Sequence, residues 1–167
     1  PAKNDRRKNY TGEMMFDQIY NFLRYSESLS SSGMPTAEQL SEAPKHGVQV
    51  VINLAPHDVP NAIQNEGQLV NSMGIEYINI PVNWGTPTKD GLDKFMDAME
   101  EYKDKVIHVH CEANFRASAF IAMYRILGLG WKEDNAFEIM HKIWDEDAFP
   151  VWKLFIDGMV NQGSENS

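Results

Sequence analysis

Three short apolar runs rich in β-branched residues, Val48–Leu54, Ile75–Ile80 and Val106–His110, alternate with segments of helical character. Each run is too short for a helix of its own and suits a buried strand. Asn61–Ser72, closed by Gly74, lies between the first two. A helix from Thr88, a good N-cap, to Tyr102 lies between the second and third, and Arg116–Leu127 follows the third. Strands that alternate with helices pack as a parallel sheet crossed over by those helices. The expected fold is therefore α/β, an open, mainly parallel sheet of four to five strands with helices on both faces. In such sheets ligands bind at the carboxyl ends of the strands. That singles out the loops after Leu54, Ile80 and His110.

The flanking segments complete the outline. Met15, Phe16, Ile19, Phe22 and Leu23 recur at helical spacing and predict a helix over Glu13–Tyr25. A short edge strand is expected near Leu29–Ser32, and a short helix from Thr36 to about Pro44. Trp131–Trp144 and Phe149–Val160 read as two further helices, with Trp131, Phe137, Met140 and Trp144 as a core stripe. Residues 1–12 are polar and basic and read as a flexible arm, residues 13–161 as one domain, and residues 162–167 as a tail.

Charge narrows the function. The chain carries 24 acidic against 15 basic side chains, a net charge of −9. A nucleic-acid binder needs a broad basic face to neutralise phosphates, so that class is disfavoured. No apolar run approaches a membrane span, so no membrane role is expected and a soluble protein is. The chain begins with Pro rather than Met, which leaves a removed leader open, and with it the choice between cytoplasm and periplasm. One cysteine excludes an internal disulfide.

That cysteine lies in the third loop, Val109-His110-Cys111-Glu112-Ala113-Asn114-Phe115-Arg116-Ala117-Ser118. A cysteine at a strand end, just before a helix, sits among converging amide N–H groups and the positive end of the helix dipole. Such a setting favours a thiolate nucleophile. Arg116, at the helix start, offers a planar fork for an oxyanion. Cys111, the N–H groups of Glu112, Ala113, Asn114, Phe115 and Arg116, and the Arg116 side chain together suit attack on a tetrahedral oxyanion. His110 is placed to support the loop. His57, His108 and His110 match no metal-site spacing, so no metal is expected. No nucleotide loop is present either, and no cofactor is expected.

This loop resembles the signature of cysteine-dependent protein tyrosine phosphatases: His-Cys, a short loop, Arg, then Ser or Thr. Ser32-Gly33-Met34-Pro35, Val50-Val51-Ile52-Asn53-Leu54, Gly74-Ile75-Glu76-Tyr77 and Ile80-Pro81-Val82 are similar to the strands and acid loop of the small dual-specificity-like branch. The likeness extends to bacterial phosphatase-like domains found beside β-lactamase-like hydrolases, and covers about residues 28–128. It implies hydrolysis of a phosphate-bearing substrate through a phosphocysteine on Cys111, with Ser118 helping the thiolate leave.

Two departures stand against it. The family loop has one more residue between Cys and Arg than the four here, Glu112 to Phe115. Four is the spacing common in rhodanese sulfurtransferases, which carry a persulfide. Asn114 stands where glycine is usual, although Asn tolerates positive φ better than most residues. The family also places a general-acid aspartate in the loop after the Ile-Pro-Val strand. Here Asn83 or Trp84 occupies that slot, and both read as pocket wall. Asp90, on the first turn of the next helix, is the substitute acid, with Asp58 as second choice. The alternatives to a phosphatase are a sulfurtransferase using a Cys111 persulfide and a catalytically silent phosphate-binding module.

Overall fold

In the computed structural model, which describes residues 15–165, the apolar runs form the middle of a five-stranded sheet. The strands are β1 (Leu23–Ser26), β2 (Leu29–Ser32), β3 (Val50–Asn53), β4 (Glu76–Asn79) and β5 (Ile107–His110). They lie in the order β1-β2-β5-β3-β4, and every neighbouring pair is parallel except β1 with β2. The α-helices are α1 (Ala37–Leu40), α2 (Glu66–Ser72), α3 (Lys89–Glu101), α4 (Phe115–Leu127), α5 (Glu133–Phe137) and α6 (Pro150–Glu165).

Strand alternation sorts the core into two layers. Val50 and Ile52 point to one face, where Leu92 and Phe95 of α3, most of α4, and Trp152 and Ile156 of α6 cover them. Val51 points to the other, against Phe16, Ile19, Leu40 and Val70. Helix α4 is buried on all sides from Arg116 to Arg125, as the mostly apolar run from Ala117 to Tyr124 between the two arginines requires. The central strand β5 feeds directly into the loop before α4, so the middle of the molecule fixes both ends of that loop.

Several expected elements differ. The helix expected over Glu13–Tyr25 is a single 3-10 turn, Phe16–Gln18, followed by β1. Asn21, at φ 53°, breaks the periodicity between them. With β1 at the edge, Leu29–Ser32 is an interior strand rather than an edge. Asn61–Ser72 is helical only from Glu66, because Asn61 and Asn65 both take left-handed φ, 66° and 56°. Trp131–Trp144 is divided into α5 and a 3-10 turn at Met140–Lys142, the backbone tightening after Ile139. Helix α6 runs on past Val160 to Glu165, with Gly163 packed closely on the tip of the Leu127 side chain. Thr88 caps α3 as expected, accepting from Gly91 N–H at 3.1 Å. Residues 1–12, read as an arm, lie outside the described residues.

Candidate active site

The loop from Cys111 to Asn114 is shaped by the chain that precedes it in space, not only by its own residues. The Cys111 N–H bonds Ser32 O at 3.3 Å, extending the β2–β5 ladder by one residue. Met34 N–H then bonds Glu112 O at 2.9 Å, and Gly33 bridges Ala113. Gly33 is obligatory here: a Cβ would lie 2.6 Å from Glu112 O. Asn21 Nδ2 donates to Ala113 O at 3.0 Å, and Asn114 Nδ2 donates back to Asn21 O at 2.8 Å. Asn114 takes φ 68°, the left-handed turn that starts α4. These ties hold the carbonyls outward. Among the described residues the backbone N–H groups of Glu112, Ala113, Phe115 and Arg116 meet no protein acceptor, while that of Asn114 is on the side of the Gly33–Ala113 bridge. They form an amide cradle at the helix start.

Arg116 enters the same space from the first turn of α4. It is 5% exposed, donating from Nη1 to Val82 O at 2.8 Å and from Nη2 to Glu112 Oε1 at 2.5 Å. Cys111, Glu112, Ala113 and Arg116 line one cavity of about 310 Å³, walled by Trp84, Phe115 and Phe149. The walls belong to a larger aromatic cluster. Phe115 stacks on Trp144 at 5.0 Å, Trp84 stacks on Trp152 at 5.1 Å, and Trp152 Nε1 donates to Trp84 O at 2.7 Å. The loop after β4 is thereby pinned to α6.

Beneath the loop lie two buried histidines. His110 Nε2 meets Glu66 Oε2 at 2.7 Å, and its Nδ1 meets Cys111 O at 3.2 Å. Glu66 therefore reaches the cysteine's own carbonyl through one imidazole. Tyr77 sits beside this pair, its phenol pushed up by burial and then by Glu66. His108 bonds Ser30 Oγ through Nδ1 and Ser32 Oγ through Nε2, both at 2.8 Å. The Ser32 hydroxyl already donates to Gly33 O, so the network assigns the imidazole proton to Nε2 and leaves Nδ1 to accept from Ser30. Burial pulls the His108 pKa well below the ordinary histidine value.

The expected site residues divide accordingly. Cys111, Glu112, Ala113, Phe115, Arg116 and Trp84 come together, and His110 stands behind them. The Asn114 side chain turns away to Asn21, and its Oδ1 is buried without a partner. The Ser118 hydroxyl is engaged within the helix start, where it donates to Asn114 O at 2.6 Å and accepts from Trp144 Nε1 at 2.9 Å. Asn83 is exposed, accepts from Gly85 N–H, and does not line the cavity. Asp90 is also outside the wall, exposed and paired with Lys94 at 3.1 Å, and Asp58 is exposed and outside it too. Glu112 is the one carboxylate lining the cavity. Its pairing with Arg116 had a signal, the i,i+4 spacing of opposite charges. Glu66 and Asn21 had none, because each reaches the loop from far away in sequence. Among the described residues, His141, Asp145 and Glu146 alone cluster as metal-type ligands, and His141 is already bonded to Glu146 at 2.7 Å.

Comparison with known proteins places this geometry. Residues 24–147 match the family model described as DSP-PTPase phosphatase fused to NAD+ kinase. The crystal structure of a DUF442 protein from Shewanella putrefaciens CN-32 is similar at 34% identity and a TM-score of 0.77, covering 86% of this chain and 91% of that one. TpbA of P. aeruginosa, solved with pTyr, shares the fold at 20% identity and a TM-score of 0.65, over 86% of this chain and 90% of its own. The core catalytic domain of the S. cerevisiae PP-IP phosphatase SIW14 does so at 19% identity and 0.67, over 89% and 93%. No curated protein matches the chain.

Proposed function

The chain belongs to the DSP-PTPase phosphatase family whose model its residues 24–147 match, and on that premise we propose that it is a cysteine-dependent phosphatase of a phosphate monoester. One juxtaposition carries the reading: the Cys111 thiol, the Arg116 guanidinium and the loop residues Glu112, Ala113 and Phe115, whose N–H groups meet no protein acceptor, border a single aromatic-walled cavity. The Cys111 thiolate attacks phosphorus, an S–P bond forms, and the ester P–O bond breaks. The cradle and Arg116 hold the equatorial oxygens. Water then attacks the phosphocysteine, the S–P bond breaks, and inorganic phosphate and the thiolate are released. His110 and Ser118 act as positioning residues, the first through the Cys111 carbonyl, the second through the start of α4.

The leaving oxygen takes its proton from solvent, since Asp90 stands outside the wall and Glu112 is held as a carboxylate on Arg116. Activated aryl esters are therefore the favoured substrates, and poor leaving groups are slower by roughly 10²–10⁴-fold. Asp90→Asn is expected to leave aryl phosphate turnover unchanged. A second reading, sulfur transfer through a Cys111 persulfide, is favoured by the four residues between Cys111 and Arg116, one fewer than the phosphatase loop has.

A paired assay decides between them. Hydrolysis of an aryl phosphate and sulfur transfer from thiosulfate to cyanide are followed on one preparation, with Cys111→Ser as control. Phosphate release lost in Cys111→Ser, without sulfur transfer, is the expected result. Sulfur transfer alone would replace the phosphatase reading. Silence in both, with vanadate still bound, would leave a phosphate-recognition module.

A further inference from the structure

A second cavity, of about 300 Å³, lies at the opposite end of the β5–α4 pair from Cys111. It is floored by Leu29 and Ile107, the first residues of β2 and β5, whereas Cys111 follows the last residue of β5. Arg125 borders it from α4, nine residues beyond Arg116, which is about 14 Å along a helix.

Arg125 is the residue that needs an account. It is only 7% exposed, yet among the described residues no carboxylate or carbonyl receives its N–H groups. Its contacts are ring faces, Trp131 at 4.1 Å and Tyr25 at 5.0 Å. Its nitrogens are not sealed in, since the one fully buried side-chain polar atom without a partner among the described residues is Asn114 Oδ1. Arg125 lines the cavity. Burial pulls its pKa down, so the charge is held there at a cost that a nearby anion would relieve.

The surroundings point to such an anion. Lys103 and Lys105 also line the cavity, are exposed, and have no carboxylate partner among the described residues. The wall holds one acid, Glu100, a carboxylate that accepts from the Tyr124 hydroxyl at 2.5 Å, so three cations face one anion. Three cations around one hollow stand out in a chain of net charge −9. The remaining wall is mainly apolar, with Ser26 and Ser28 as its hydroxyl-bearing members, and Trp131 is 41% exposed.

We propose that this cavity binds a small organic anion, a carboxylate or phosphate group borne on an apolar or aromatic body. The anionic group meets Arg125, Lys103 and Lys105, and the apolar body lies against Leu29, Ile107 and Trp131. The site is independent of the chemistry at Cys111.

Calorimetric titration of the whole chain with benzoate, phenylphosphonate and the neutral benzamide tests it. Both anions, or whichever carries the preferred headgroup, are expected to bind at least about tenfold more tightly than benzamide. Lys103→Glu with Lys105→Glu, both on the surface and away from the core, should weaken that binding about tenfold or more, and Arg125→Met should abolish it. Cys111→Ser should leave it unchanged. Anion binding no tighter than benzamide, unaffected by the lysine reversals, or lost in Cys111→Ser would overturn the proposal.

Discussion

At the scale of single residues, Glu112 decides how this cavity treats an anion. Its carboxylate sits 2.5 Å from Arg116 Nη2, where an oxyanion would use the same fork. Phosphate must displace it or share the arginine with it. Glu112→Gln removes the like charge while keeping a hydrogen-bonding group, and vanadate or phosphate inhibition is expected to tighten about tenfold, about 1.4 kcal/mol. Weaker inhibition would mean that the carboxylate assists binding, and unchanged inhibition that it does not compete for the arginine. Asn114 makes a different point. Asn tolerates its φ of 68°, and its amide ties the loop to Asn21 O. Asn114→Ala loses both advantages and is expected to cost about 1–3 kcal/mol in urea unfolding, with Asn114→Gly less damaging because glycine accepts the angle. The left-handed turn was legible from the residue type. The Glu112–Arg116 pair had only the weak signal of its spacing, because many such pairs on helix surfaces are inconsequential.

At the scale of elements, the loop before α4 depends on the segment after β2 as much as on β5. Gly33→Ala would drive a methyl group toward the Glu112 carbonyl and the Tyr20 side chain, 2.6 and 2.8 Å away. Both neighbours belong to the structure around the cradle, so relief would move the cradle itself. We expect a loss of about 1–3 kcal/mol together with a fall in Cys111-dependent turnover. Gly158 is the counterpart, inside α6 with nothing within 4 Å of an added Cβ. Gly158→Ala should stabilise by about 0.5–1 kcal/mol with turnover unchanged. Chemical denaturation of the two variants beside the parent checks both signs. Helices α3 and α4 and strands β3, β4 and β5 were legible because local pattern and burial agree along them. Strand β1 and the late start of α2 were not. Their apolar residues keep helical spacing, but left-handed asparagines and pairing with β2 override it.

At the scale of the whole molecule, His108 couples stability to pH. It is neutral in the fold, held between two serine hydroxyls, with its pKa well below the ordinary value because of burial. The unfolded chain takes up this proton near pH ~6.5 and the folded chain does so only at much lower pH. Stability is therefore full above about pH 6.5 and falls below it, by about 1.4 kcal/mol per pH unit. Urea midpoints near pH 7.5 and pH 5 should show the drop, and His108→Gln should flatten it. An equal slope in the variant would assign the acid sensitivity elsewhere. The sequence alone determined the alternation of strands and helices, and thus the mainly parallel sheet with the Cys111 loop after β5. It also placed Cys111 and Arg116 on either side of one short loop. Periodicity and local spacing encode such features within a few residues. Only the tertiary structure decided that Glu66 stands behind the cysteine carbonyl, that Asp90 lies outside the cavity, and that Arg125 borders a second one. Those facts join positions far apart in the chain, and they exist only once both faces of the sheet are packed.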